Sequence, residues 1–254
     1  MRELIKKNIK DTRAEPYTRW LVKRMRGIHM PFDLVKNEIY DRQATDVIQH
    51  VLTENSNAID IGCHEGQFLK EFIKCAPNGR HFAFEPLPQL ARLLMDRFPS
   101  VTVYPYAVSD TSADTPFYVI PDSPALSGLN ARGFLSPDKP RQEIKIRTER
   151  LDDIIPRETK IDLIKIDVEG AEGLVILGGR DTLTRNRPYV ILEHGDASSK
   201  PFGFSSGDIY DLLVDQCGLQ LSLLKNWLQH KRCLTKHQFI SSRDWYFLAH
   251  PATE

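Results

Sequence analysis

Asn57-Ala58-Ile59-Asp60-Ile61-Gly62-Cys63-His64-Glu65-Gly66 is the stretch on which the fold turns. Its first half reads as a short apolar strand interrupted by one acid. Gly62 and Gly66 then bracket a turn into a helix whose inward face is Phe68, Leu69, Phe72 and Ile73, at helical spacing. A strand, a glycine turn and a helix in that order form the first unit of an α/β sheet.

The unit repeats downstream. His81-Phe82-Ala83-Phe84-Glu85 reads as a second strand stopped by Pro86, followed by a helix over residues 89–94. Residues 101–108 read as a third strand. The pattern resumes with a strand over 161–167, a helix near 174–183, a strand over 189–193, a helix near 209–216, and strands near 219–224 and 245–249. Ala44, Val47, Ile48 and Val51 predict a further helix over about 41–52. Strands that are apolar throughout are buried on both faces, so the expected fold is α/β: a doubly wound, mostly parallel sheet of seven strands. Between the third and fourth of them the pattern changes. Residues 117–120 and 143–148 alternate like a solvated β-pair, and residues 121–142 between them are rich in Pro, Ser, Gly and Asp. This reads as a β-insertion at the rim of the sheet.

The 254 residues carry 34 Lys plus Arg against 34 Asp plus Glu, a balance that argues against a general polyanion binder. That zero is an average. Residues 1–26 hold nine basic residues against three acids, a basic helical segment (taken as 1–40) that suits either a solvated face or a peripheral contact with an anionic surface. Cys63, Cys75, Cys217 and Cys233 include no C-x-x-C pair and read as free thiols. No apolar run reaches the roughly 18–20 residues of a membrane span, and residues 1–7 lack the apolar core of a signal peptide. A cytoplasmic protein without a nucleic-acid partner is the expectation.

In an open α/β sheet, ligands bind beyond the carboxyl ends of the strands. The first strand ends in Asp60 and the Gly62/Gly66 turn, where bare backbone and a helix N-terminus approach a ligand closely. The spacing is not G-x-G-x-x-G, so the pyrophosphate fingerprint is missing. The second strand ends in Glu85-Pro86, about 20 residues on, where an acid accepts the hydroxyls of a ribose. Together these point to an adenosine-like nucleoside without a pyrophosphate. Ala107 and Val108, ahead of Ser109 and Asp110, offer small residues to border a flat base. The fourth strand runs into Lys165-Ile166-Asp167-Val168-Glu169-Gly170-Ala171-Glu172. Glu169 and Glu172 suit the first turn of a helix. Asp167 is directed toward the crevice and shares a strand face with Lys165. The fifth strand ends in Glu193-His194-Gly195. A histidine here, beside carboxylates, suits a general base. Asp167, Glu193 and His194 would alternatively suit a divalent cation, although no metal is expected.

Taken in order, these segments resemble the FkbM-type family of class I S-adenosylmethionine-dependent methyltransferases. The carrying pieces are Ala58-Ile59-Asp60-Ile61-Gly62-Cys63-His64-Glu65-Gly66, Phe84-Glu85-Pro86, Ala107-Val108-Ser109-Asp110, Arg150-Leu151-Asp152-Asp153, the segment through Glu172 quoted above, and Leu192-Glu193-His194-Gly195. The likeness spans roughly residues 40–250, and the Lys165-to-Glu172 segment is its most specific part. Cys63 stands where the family often has alanine. The resemblance implies one methyltransferase domain over 41–254, with an insertion over about 117–148 and an antiparallel last strand. It implies S-adenosylmethionine as cofactor, with Asp60, Gly62, Cys63, His64 and Gly66 around the methionine moiety, Glu85 and Pro86 at the ribose, and Ala107 and Val108 at the adenine. It also implies methyl transfer to a hydroxyl of a sugar, glycan or related natural product. Asp167, Glu193 and His194 are the candidates for orienting and deprotonating that hydroxyl, chosen from their positions. The rim segment 123–129 and a wall containing Phe202 and Phe204 would flank the acceptor. Three other readings have less support. A nicotinamide-dependent dehydrogenase needs the missing pyrophosphate loop. A base-directed methyltransferase would be supported by an Asn/Asp-Pro-Pro-Tyr/Phe segment, which is absent, and neither that reading nor a protein-directed one gains from the neutral charge. A non-catalytic cofactor-binding module would keep the fold without the chemistry.

Overall fold

The computed structural model describes residues 32–130 and 140–252. The basic segment expected over residues 1–40 lies outside the described residues up to residue 31, and so does the part of the rim loop over 131–139. The chain forms two compact units, Met1–Val47 and Ile48–Glu254, and the boundary falls within a helix, α1, Phe32–Val51. That helix starts ahead of the expected residue 41.

The second unit is built on the expected seven-stranded sheet. Its strands are β1 (Ala58–Ile61), β2 (His81–Phe84), β3 (Val101–Tyr104), β7 (Leu163–Ile166), β8 (Tyr189–Glu193), β9 (Gln220–Leu223) and β10 (Tyr246–His250). They lie in the order β3-β2-β1-β7-β8-β10-β9. All neighbours are parallel except β10, which runs antiparallel to both β8 and β9. The sequence order reverses between β1 and β7, so a crevice opens beyond their carboxyl ends.

Both faces of the sheet are covered, which is why its central strands need no alternation. Every residue of β1, β2 and β7 is buried. Helix α2 (Gln67–Cys75) buries Phe68, Leu69 and Phe72, and α3 (Pro88–Arg97) buries Ala91 and Leu94. Fully burying one such large side chain contributes roughly 1.5–3 kcal/mol. The helix expected near 174–183 is in fact two, α5 (Glu172–Gly178) and α6 (Arg180–Asn186), after a short α4 (Leu151–Ile154). Two consecutive glycines, Gly178 and Gly179, supply the break. Past β8 come α7 (Asp196–Ser199) and α8 (Ser206–Tyr210), the latter continued by a π-helical stretch over Asp211–Gln216. Helices α9 (Leu224–Trp227) and α10 (Lys236–Ile240) precede β10.

The third strand departs from expectation. Residues 101–108 do not form one strand, because Pro105 has no N–H to give the ladder. The chain leaves the main sheet after Tyr104, and Ala107–Val108 forms β4 in a second sheet. Here β4 pairs in parallel with β6 (Gln142–Glu149), which pairs antiparallel with β5 (Ala113–Val119). This is the expected rim insertion, widened to include Ala107 and Val108. It has a small core of its own in Ala107, Phe117 and Ile146. Among the described residues, no helix is long and apolar enough to cross a membrane.

Helix α5 seats the end of β4. A Cβ on Gly178 would lie 1.9 Å from the carbonyl oxygen of Ser109, so backbone meets backbone with no room to spare. Gly178→Ala is therefore expected to lower the unfolding free energy by about 1–3 kcal/mol, measured by urea denaturation. An unchanged denaturation midpoint would refute this account of the contact.

Candidate active site

The carboxyl ends of β1, β2 and β7 and the start of the rim sheet line a partly open cleft. Of the residues expected at a site, Gly62, His64, Glu85, Pro86, Ala107, Val108 and Asp167 line it. Tyr106, Phe117, Pro124, Ser127 and Leu129 add a largely apolar wall from the rim segment. A bridge between Tyr118 and Gly128 pins that segment back on β5.

The floor is the turn after β1. The amides of Gly62 and Cys63 both reach the carbonyl of Phe84, at 3.0 and 3.4 Å, and Gly66 N–H closes the turn on Cys63 O at 2.7 Å. Gly62 has φ +77°, and a Cβ there would sit 1.9 Å from the carbonyl oxygen of Asp167. Only glycine fits, and the result is uncovered backbone at the cleft. Gly66 and Cys63 shape the turn from beneath: Gly66 packs on Phe98 and Leu94, and the buried Cys63 thiol donates to Phe84 O at 3.5 Å. Burial pushes that thiol well above its ordinary pKa, helped by Asp60 and Glu85, so it stays neutral.

Glu85 is buried, with one backbone amide on each oxygen: His64 N–H donates to Oε2 at 2.9 Å and Leu87 N–H to Oε1 at 3.0 Å. Burial raises its pKa to about 7 against the pull of those amides.

The acids of the neighbouring strands meet through register. Asp60 on β1 pairs with Lys165 on β7, and Lys165 with Ile191 on β8. Two residues further on, the same face carries Gly62, Asp167 and Glu193, and Glu193 pairs with Tyr246 of β10. Lys165 is buried at the centre. Its Nζ donates to Gly62 O at 3.1 Å and lies 3.2 Å from Asp167 Oδ2 and 3.6 Å from Asp60 Oδ1. Neither Asp60 oxygen has a hydrogen-bond partner. Burial raises Asp60 to about 6 even though Lys165 pulls it down. Burial, then the adjacent Asp167, raises Glu193 to about 8. Tyr246, which the sequence did not single out, donates its hydroxyl to Asp167 Oδ2 at 3.3 Å.

His194 is not brought to this cleft. It is buried, its Nε2 is 2.9 Å from Ser206 Oγ, and its Nδ1 is 3.2 Å from Ser199 Oγ and 3.7 Å from Glu172 Oε2. Its ring stacks on Phe239. With both nitrogens engaged inside the protein, it has none left for an acceptor. Alternation explains the placement: if Glu193 faces the carboxylate cluster, the next side chain points the other way. Glu172 is likewise no helix-end ornament. It accepts from Gly170 N–H at 2.8 Å and from Ser199 Oγ at 3.0 Å, tying the β7 loop to the segment after β8. Phe204 packs against Gly173 instead of forming a wall.

A cofactor fold of the class I methyltransferase kind, open at the switch point between β1 and β7, is what these elements define. Residues 60–221 match the family described as Methyltransferase FkbM domain. The chain belongs to that family, and S-adenosylmethionine is its cofactor. The 2-O-methyltransferase NoeI of Sinorhizobium fredii is 30% identical over 153 residues, covering 54% of this chain and 63% of that protein. The AMB antimetabolite synthetase AmbE of Pseudomonas aeruginosa is 27% identical over 235 residues, 77% of this chain and 11% of that protein. The chain thus spans less than two thirds of either curated relative. Among solved structures, a methyltransferase FkbM from Methylobacillus flagellatus KT aligns with TM-score 0.49 and 17% identity, over 78% of this chain and 44% of that one.

His194→Ala removes a buried ring and the imidazole partner of the Ser206 and Ser199 hydroxyls. It is expected to lower the unfolding free energy by about 2–4 kcal/mol, while adenosylhomocysteine affinity measured well below melting is retained. Unchanged stability with lost affinity would instead place the histidine in the cleft.

Proposed function

We propose that the chain transfers a methyl group from S-adenosylmethionine to a hydroxyl of a sugar, glycan or related natural product. The observation that carries this reading is the convergence, at one cleft, of the uncovered Gly62 turn, the Glu85 carboxylate and the Asp167 side of a carboxyl pair. The name of the relative NoeI, a 2-O-methyltransferase, supports oxygen as the acceptor atom. The family resemblance supports a sugar or natural product, and Tyr106 and Phe117 in the wall suit the apolar face of a ring.

The residues fit the cofactor. Each Glu85 oxygen holds one amide and keeps acceptor capacity for a ribose hydroxyl. Gly62, His64 and the turn that Cys63 and Gly66 shape offer backbone to the methionine moiety, with the buried Asp60 carboxylate, paired with Lys165, beneath them. Ala107 and Val108, with Pro86 and Phe84, border a flat apolar space for the base.

Bound S-adenosylmethionine supplies a methyl group already activated on a sulfonium. What remains for the protein is to align the acceptor, exclude water and take a proton. Asp167 accepts the hydroxyl proton. Burial and the adjacent Asp167 raise the pKa of the Glu193 carboxyl, which favours its neutral form beside that acceptor. Phe117, Pro124 and Leu129 present apolar surface to the cleft.

Asp167→Asn is expected to lower turnover by about 10²–10⁴-fold with adenosylhomocysteine binding retained. Radiolabelled methyl transfer over a panel of glycosides and glycolipids reads the first, and calorimetry the second. Native turnover in this variant would remove Asp167 from the proton-accepting role.

Glu85 gives a pH dependence of binding. Below about pH 7 the empty site holds Glu85 protonated, and a neutral carboxyl offers less to two donating hydroxyls. Affinity for adenosylhomocysteine is expected to rise with pH through about 7 and level off above it. Glu85→Gln should flatten that rise and lower the plateau about tenfold or more, as checked by calorimetry across the range.

A further inference from the structure

The Lys165 ammonium touches two working parts of the site at once. It donates to the carbonyl of Gly62, on the turn beneath the cofactor, and it pairs with Oδ2 of Asp167. Tyr246 engages that same oxygen, so both anchors fall on Oδ2 and neither on Oδ1. Asp60 stands on the far side at 3.6 Å, and the Phe68 ring of α2 lies 5.4 Å from the ammonium. No water-exposed lysine could hold this geometry, because an exposed side chain of that length samples many rotamers.

We propose that Lys165 is a positioning residue for methyl transfer: it holds the Gly62 turn and the proton-accepting carboxylate of Asp167 in one fixed relation. The inference rests on Asp167 as proton acceptor. The charged and titratable groups around that carboxylate come from every neighbouring strand: Lys165 on its own strand, Asp60 and the Cys63 thiol from β1 and its turn, Glu193 from β8 and Tyr246 from β10. Among these, Lys165 is the sole cation. Burial alone would push the Lys165 pKa down, but the facing carboxylates of Asp167 and Asp60 hold it above its ordinary range. It therefore stays charged across the pH range in which Glu193 titrates.

The test uses the full chain, native and with Lys165→Met or Lys165→Arg, and two readouts that need no acceptor. Calorimetry gives adenosylhomocysteine affinity. Infrared difference spectra against Asp167→Asn and Glu193→Gln follow protonation of the carboxyl pair with pH. Lys165→Met is expected to bind adenosylhomocysteine at least about tenfold more weakly. Its Glu193 carboxyl should also keep its proton to a pH at least about one unit higher, because Lys165 lowers its pKa in the native chain. Lys165→Arg, which keeps the charge but not the shape, should return the titration to its native position while affinity stays low. A folded Lys165→Met with native titration overturns the proposal. If that variant does not fold, Lys165→Arg decides alone: native titration with weakened affinity supports the proposal, and native affinity overturns it. A glycoside screen without methyl transfer, alongside both expected shifts, would count against the proposed activity and leave the positioning role standing.

Discussion

One ammonium among carboxylates governs this structure. Moving a lysine out of water is expensive, and attraction to nearby acids offsets the cost only when geometry is tight. Lys165 meets that condition because strand register places Asp60 beside it and Asp167 two residues on. Had β1 and β7 slipped by one residue, Asp60 would change face and the ammonium would keep only Asp167, the acid of its own strand. The cluster therefore penalises misregister at the place where the sheet reverses its order. The same arrangement explains why acids can accumulate at one strand edge. Burial raises the pKa of both Asp60 and Glu193, and the Lys165 ammonium balances the charge that remains.

Much of this was legible in the sequence. Seven apolar strands, the glycine turn and the acids at the strand ends announce an α/β sheet and the edge at which its cleft opens. Gly62, Glu85 and Asp167 could be placed at the cleft because each ends a strand, and strand ends are where the topology opens. What failed depended on non-local facts. Residues 101–108 looked like one strand, and Pro105 was the signal that the ladder must break there. His194 looked like a base because strand mouths attract attention. The alternation that sends Glu193 toward Asp167 sends His194 away, and that argument was available without coordinates. Tyr246 was out of reach, since nothing local says that β10 inserts between β8 and β9.

The His194 knot has its own logic. Glu172 reaches back to the amide of Gly170, and Ser199 and His194 close around it. Glu169, just before, adopts φ +59°, a left-handed conformation that costs a non-glycine residue about 1 kcal/mol or more. A buried hydrogen-bonded group immediately behind a strained residue is how a fold keeps an unfavourable backbone in place. The residue expected to perform chemistry thus contributes by fixing the loop on which Asp167 and Glu169 stand at the edge of the cleft.

The departure of β4 from the main sheet has a consequence for how such a molecule can diversify. One wall of the cleft belongs to a three-stranded unit with a small core of its own, seated on the rest through Val108 in the main core and Ser109 against Gly178. Its turn over 123–129, remote from that seam, lines the cleft and carries none of the buried charges. The scaffold and the pocket wall are thereby under separate mutational control, and a lineage can alter what the cleft admits while inheriting unchanged the machinery behind it.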